Sequence, residues 1–294
     1  MARPTFQTID SNWDYNVTTQ PLFTKDGRPT GWFGNFRDGV DSPLGVCTEY
    51  YGLIQNKDLM DKATEAMNAR GLIPSKQKLV VAGDGERFYA TFDFKDKVIP
   101  VSKKVGDELG FRLILQNSFD RSLRASWSLG FLRLVCLNGM VTMEKEFSLT
   151  KKHSTKLSLD FVGDALDRAI NGFEKSAEIF ALLADKPVSD EQGQTILKNL
   201  TEKDILSDSV REGVETLWLA PKRDEDKARN LFNLYNAATD YLTHQVEGER
   251  FEYAQRTNGR VLFELNRAVR SQNVMDALLR PVITAPKASV VSNN

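Results

Sequence analysis

Cysteine and histidine are scarce: the 294 residues contain two of each. Cys47 and Cys136 form no CxxC pair, and two lone cysteines make no disulfide framework, so a reducing cytoplasm is the expected setting. Cys136 falls within an apolar strand pattern and is expected to be a small buried hydrophobe. A zinc site would need more His or Cys ligands than this chain offers. No apolar run approaches the roughly 20 residues needed to cross a bilayer. The stretch MARPTFQTIDSNWDYN has no charged leader followed by an apolar segment, so no secretory signal is expected. Gly83-Asp84-Gly85 lacks the strand–GxxxxGK[ST]–helix context of a phosphate loop, and no nucleophile elbow supports a Ser-His-Asp triad. Neither a cofactor nor a metal is expected, and no internal repeat is visible. A net charge of −1 excludes attraction of nucleic acid by the molecule as a whole.

What is present is an ordinary globular composition, 41% apolar and 27% charged, in a chain long enough for one large core or two small ones. Residues 111–143 alternate apolar and polar side chains, break at 117–120, and resume to an Asn138-Gly139 turn. That pattern reads as adjacent antiparallel strands. Residues 76–81 and 87–94 form a hairpin around the glycines, and 98–101 form a further strand. A short strand over 46–48 and 50–54 precedes a helix over 58–69, with Asn56 as N-cap and Gly71 as its stop. Residues 1–45 read as an irregular, aromatic-rich arm with short strands that docks on its own domain. From Leu157 the period turns helical. Phe161, Ala165, Leu166, Ala169, Ile170, Phe173, Ala177, Phe180 and Leu183 make one stripe of a long helix ending near Ala184. Ser189 with Gln192, and Ser209 with Glu212, match capping boxes. Helices over 224–244 and 259–279 follow, and 285–294 read as a disordered tail. Strands clustered before helices predict an α+β protein. Its antiparallel core spans 46–156 with one early helix, and a helical region over 157–284 packs on that core within the same domain.

Three segments together resemble a known family. They are LGVCTEYYGLIQN at 44–56 with the helix after it, QNSFDRSLRA at 116–125 with FLRLVCLNG at 131–139, and NLFNLYNAATDYLTH at 230–244. They are similar to the phage- and plasmid-encoded "domain of unknown function 932" group. The middle segment resembles its N-S-x-D-G-S turn and R-x-V-C-x-N strand, with Arg121 in place of the usual glycine. The last resembles its Y-N-A-x-T-E-Y-x-D-H helix, with Asp240 and Thr243 as departures. On this resemblance Asn117, Ser118, Asp120, Asn138, Asn236, Asp240 and His244 are family-motif polar residues. The resemblance implies no established activity. It implies a cytoplasmic accessory protein of a mobile element in a bacterial host, near recombination or anti-restriction functions. A strand meander before a long helix is also an architectural analogy to single-strand annealing proteins, many of which form rings on DNA.

Charge is segregated along the chain. Residues 112–156 hold eight basic side chains against three acidic ones, whereas 160–226 hold sixteen acids against eight bases. Arg112, Arg121, Arg124, Trp127, Arg133, Lys151, Lys152 and Lys156 are therefore the candidate nucleic-acid contacts. The cations would neutralise phosphates, and Trp127 or Phe131 would stack a base for roughly 1–3 kcal/mol. The competing reading pairs these arginines with acids of the helices and puts Trp127 in the core. Asn117, Ser118 and Asp120 read as a turn bonded to its own backbone, or as a polar site beside Asn138 in which Asp120 binds a metal or acts as a base. Asn233, Asn236, Asp240 and His244, spaced three and four apart, share a helix face. A buried polar network fixing helix to sheet is the first reading of that face, and a metal at Asp240 and His244 the second. The expected function is single-stranded DNA binding without catalytic chemistry, in a homo-oligomer, with strand annealing or recombination as its setting. The alternative is an anti-defence or regulatory module that meets a host or phage protein through its acidic helices. A hydrolase or nuclease comes third.

Overall fold

The computed structural model describes residues 5–8, 12–101, 108–133, 138–141 and 148–282, with backbone alone at 5–8, 138–141, 148, 174, 247–249 and 251. Cys136, the side chain of Asn138 and the tail 285–294 lie outside the described residues.

The fold is α+β. Strand β1 (Thr5–Thr8) runs parallel to β5 (Lys76–Ala82). Then β6 (Arg87–Pro100), β7 (Glu108–Ser118) and β8 (Ala125–Arg133) follow as antiparallel neighbours. Strands β9 (Asn138–Val141) and β10 (Ser148–Lys151) share the outer side of β8, which completes a seven-stranded sheet. A second, three-stranded sheet is made of β2 (Val17–Phe23), β3 (Pro29–Arg37) and β4 (Gly45–Cys47). The residues expected to form a separate strand at 98–101 instead continue β6 past a register shift between Phe94 and Val98. Residues 50–54, expected to be extended, lie outside any strand.

Alternation gives the large sheet two unlike faces. On one, Phe88, Ala90, Phe92 and Phe94 of β6 meet Phe111, Leu113 and Leu115 of β7 and Trp127, Leu129 and Phe131 of β8, all buried. On the other stand Lys76, Lys78, Thr91, Asp93, Arg112, Gln116, Ser126 and Ser128. Helix α2 (Phe161–Asp185) lays its apolar stripe on the first face. Phe173 meets Phe111 edge-on at 5.1 Å, and Phe180 meets Phe131 at 4.8 Å. Each such ring withdraws enough apolar surface from water to contribute about 1.5–3 kcal/mol.

Helix α1 (Asn56–Asn68) ends as its glycine predicts. Gly71 takes φ +64°, and the Leu72 amide bonds the Met67 carbonyl at 2.9 Å, a Schellman closure. Its start differs. Gln55 is the N-cap, because Asn56 is drawn inward to donate to the Trp13 carbonyl at 3.0 Å. Helix α3 (Asp190–Glu202) carries the expected capping box of Ser189 and Gln192. Helix α4 (Asp208–Leu219) starts after Ser207, so Ser209 lies inside the helix and caps nothing. The helix expected over 224–244 is broken in three: a 3-10 turn at Asp224–Asp226, helix α5 (Leu231–Tyr241), and a π turn at Leu242–Val246. Asn230 restarts it by accepting the Asn233 amide at 2.8 Å. Helix α6 (Glu247–Arg270) and helix α7 (Gln272–Leu279) replace the single helix expected over 259–279.

Two glycines fix how segments cross. A Cβ on Gly45 would lie 2.4 Å from the Asp120 Cα, and one on Gly52 would lie 1.9 Å from the Ser154 carbonyl oxygen. Both obstacles are backbone. Gly45→Ala and Gly52→Ala should each destabilise the fold by about 1–3 kcal/mol, measured by urea denaturation. Wild-type midpoints in both would show that these crossings are looser than the structure has them.

Candidate nucleic-acid interface

The β7–β8 turn is held by its own side chains. Asp120 accepts hydrogen bonds from the Ser122 amide at 2.9 Å and the Ser122 hydroxyl at 2.6 Å. Ser118 Oγ donates to the Leu123 carbonyl and accepts from the Leu123 amide, both at 3.1 Å. Arg87 lies 3.7 Å from the second Asp120 oxygen. The carboxylate is thus engaged in shaping the turn, as the short polar residues of a turn often are. Among the described residues, no three His, Cys, Asp or Glu side chains are placed to hold a metal ion. Arg121 sits at φ +67°, in the left-handed region where a glycine is at ease and an L side chain is strained.

Register then gathers cations at this end of the sheet. Ala125 pairs with Lys151 across β8 and β10, so the backbone of Arg124 lies beside that of Lys151 and Lys152. The chain after β10 folds back over residues 50–52. There the Thr155 amide donates to the Tyr50 carbonyl at 3.1 Å. His153 stacks on Tyr51 with ring centroids 5.0 Å apart, and the Tyr51 hydroxyl donates to the Ser118 carbonyl at 2.6 Å. Arg121 Nη1 reaches the Val46 carbonyl at 3.3 Å. Arg121, Arg124, Lys151, Lys152 and Lys156 are all exposed, and Glu49 and Asp120 are the acids of these three segments. Tyr50, on one of these segments, is 68% exposed. Nothing in the sequence distinguishes Tyr50 from Tyr51. What separates them is that Tyr51 packs under His153.

The other candidates are internal. Arg112 forms a two-pronged pair with Asp93 opposite it, Nε at 2.5 Å and Nη2 at 2.9 Å. Trp127 is fully buried and stacks on Phe92 at 5.8 Å, and Phe131 is buried too, so neither ring can stack a base. Arg133 is fully buried. It bonds Asp226 and places its guanidinium 5.1 Å over the Phe232 ring. Asn236 donates to the same Asp226 oxygen at 2.9 Å, and Arg223 bridges Asp226 at 3.5 Å and Asp240 at 2.8 Å. Asn233 donates to the carbonyls of Glu225 and Ala228 at 3.2 and 2.9 Å. The helix motif is therefore a buried network that ties α5 to the sheet. His244 does not share that face: it falls in the π turn and is exposed, while Asp240 is buried. Asn117 is equally structural. Its Nδ2 donates to the Ile54 carbonyl at 3.0 Å and to Asn56 Oδ1 at 2.9 Å.

These segments fall within one recognised family. Residues 43–279 match the family described as "Domain of unknown function (DUF932)". The chain belongs to DUF932. No curated protein and no solved structure matches it. The DUF932 match spans both the motif turn at Asp120 and the α5 network. It also contains every exposed cation of the candidate interface.

Two predictions test these assignments. Asp226→Ala leaves a buried, charged Arg133 without its carboxylate and should cost about 3–5 kcal/mol, whereas Arg133→Met with Asp226→Leu should cost much less. Equal losses by urea denaturation would refute the ion-pair reading. Burial, opposed by the bond to the Gly52 carbonyl, holds the His153 imidazole below its usual range. The unfolded imidazole, with a pKa of about 6.5, then binds a proton that the folded one refuses. Stability is full above that value and is lost as pH falls toward the lowered folded one. Thermal melts should show this acid loss, and His153→Gln should reduce it. An unchanged pH slope in the variant would remove His153 from the account.

Proposed function

We propose that this protein is a non-catalytic accessory protein, of phage or plasmid origin, that binds single-stranded nucleic acid at the end of its large sheet. The observation that carries this reading is that Arg121, Arg124, Lys151, Lys152 and Lys156, all exposed, and the exposed Tyr50 lie on three segments that touch one another at Val46 and Tyr50. A strand needs phosphate-neutralising cations and a stacking surface, and the two occur together here. DNA rather than RNA, and strand annealing within recombination, are the finer form of the proposal and rest on the mobile-element resemblance. The acidic helices favour a protein partner less, since several of their acids are already engaged. Glu215 is paired with Arg211 at 2.8 Å, Asp190 with Arg229 at 2.5 Å, and Asp240 with Arg223 at 2.8 Å.

Fluorescence anisotropy of a labelled mixed-sequence single strand, titrated over a range of salt, tests the reading. If all five cations meet phosphates, log K should fall against log salt with a slope of about −3.5, and Arg121→Ala with Arg124→Ala should lower its magnitude by about 1.4. Tyr50→Ala should cost about 1–3 kcal/mol of binding. Arg121→Gly separates binding from folding. It relieves the left-handed backbone, so it should leave stability unchanged or raise it by about 1 kcal/mol, while weakening the complex. No binding at low salt, or binding indifferent to these variants, would overturn the proposal.

A further inference from the structure

Building on the single-strand reading above, we infer that the site selects unpaired bases through a second stacking platform, Trp32 of the small β2–β3–β4 sheet, set near the turn that holds Tyr50. Apolar exposure is the first observation. Among the described residues, nine large apolar side chains are exposed, and five of them, Phe23, Trp32, Val40, Val46 and Tyr50, belong to this sheet and the turn after it. Single exposed apolar residues are ordinary, whereas a gathering of them marks an interaction surface.

Register places two of these rings near each other. Phe33 of β3 pairs with Cys47 of β4, and Gly34 with Val46. Trp32 immediately precedes Phe33. Thr48 immediately follows Cys47 and opens a turn, closed where the Tyr51 amide donates to the Thr48 carbonyl at 3.1 Å. Tyr50 lies inside that turn, so its Cα is at most about 20 Å from that of Trp32. Trp32 also shares a face of the small sheet with Val46, because it stands two residues from the Gly34 that Val46 opposes.

The cation between them is the second observation. The small sheet is fixed on the β7–β8 turn that carries Arg121. Asn35 donates to the Phe119 carbonyl at 2.7 Å, the missing Cβ of Gly45 lets β4 lie against Asp120, and Arg121 reaches the Val46 carbonyl at 3.3 Å. An exposed guanidinium is thus held at β4, the strand that pairs with β3 and leads into the Tyr50 turn. Farther out, the hairpin adds an exposed Lys25, while Arg28 is paired with Asp26 at 2.7 Å. The acid of the Tyr50 turn is Glu49, which accepts a hydrogen bond from the Tyr50 hydroxyl and opposes a phosphate at that edge of the ring.

Rings flanking a cation suit a strand whose bases are free. In a duplex each base face is covered by its neighbours, so an exposed indole finds nothing to stack on unless pairs are opened. In a single strand every base offers a face, and stacking tolerates any sequence. Two platforms within about 20 Å fit inside the roughly 4–16 nucleotides that an OB-fold single-strand site spans.

Trp32 supplies its own readout. Of the four tryptophans, Trp127 and Trp218 are buried, Trp13 is half-buried and stacked on Phe88, and Trp32 is 48% exposed. Titrating the full chain with an oligothymidylate of about 20 nucleotides should quench tryptophan emission. In Trp32→Phe the quench should vanish while anisotropy still reports binding. Trp32→Ala should bind the single strand at least about fivefold more weakly, with unchanged circular dichroism, and should bind a duplex of the same length as the wild type does. Binding that depends on Arg121 and Arg124, but brings no quench and no loss in Trp32→Ala, would overturn this inference and leave the proposed function standing. Equal loss for single strand and duplex would overturn the selection of unpaired bases. Binding of no strand at all would overturn both.

Discussion

A guanidinium without contact to water must have a carboxylate, and the helical half of this protein is arranged around that requirement. Arg133 ends the apolar row Trp127, Leu129, Phe131 on β8 and is fully buried. Alone, its charge would cost several kcal/mol. Asp226 meets it, and to do so the chain interrupts what the sequence period would make one helix. The 3-10 turn at Asp224–Asp226 turns the carboxylate inward, and Asn230 recaps the helix that follows. Asn236, Arg223 and Asp240 complete the network, so α5 is joined to the sheet through it.

The second motif does the same for the small sheet. Asn117 bonds Asn56, which bonds the Trp13 carbonyl, and the adjoining Phe119 carbonyl takes the Asn35 amide. One turn of the large sheet thereby holds α1, the chain before β2, and β3. The missing Cβ at Gly45 allows β4 to touch Asp120. Removing Asn117 or Asp226 would loosen more than one element at once, because each bonds groups far apart in sequence.

What the sequence revealed was what neighbours in the chain decide. The Schellman stop at Gly71, the capping box at Ser189, the stripe of α2 and the strand alternation all depend on residues a few positions apart. The break at 227–230 depends on Arg133, almost a hundred residues earlier, and no local pattern carries it. The candidate cations divide on the same principle. Arg112 and Arg133 looked equivalent to Arg121 and Arg124 by composition. Yet Arg133 stands two residues after Phe131 and four after Leu129, so alternation alone directs it inward. Asp93, in a strand of buried aromatics, was a further sign that a cation would lie opposite. The exposed set at the β7–β8 end appears only when the pairing of Ala125 with Lys151 brings two distant segments side by side.

That division gives the surface its meaning. Arginines that can be matched inside the fold are matched, with Asp93 and with Asp226, and their fields are quenched at contact distance. The acids nearest the β7–β8 turn are engaged: Asp120 is turned toward Ser122 and Arg87, and Arg87 also pairs with Glu86 and with Glu252 of α6. In a molecule of net charge −1, Arg121, Arg124, Lys151, Lys152 and Lys156 are the exposed cations of that turn and of residues 151–156. At ordinary ionic strength the field of an exposed charge reaches about 8–10 Å. Arg121 sharpens the case. It holds a left-handed backbone position where glycine would be cheaper, and its guanidinium reaches the Val46 carbonyl while staying exposed. A strained cation on a rigid, hydrogen-bonded turn is fixed in place before any ligand arrives, and a fixed charge loses less freedom on binding than a mobile one.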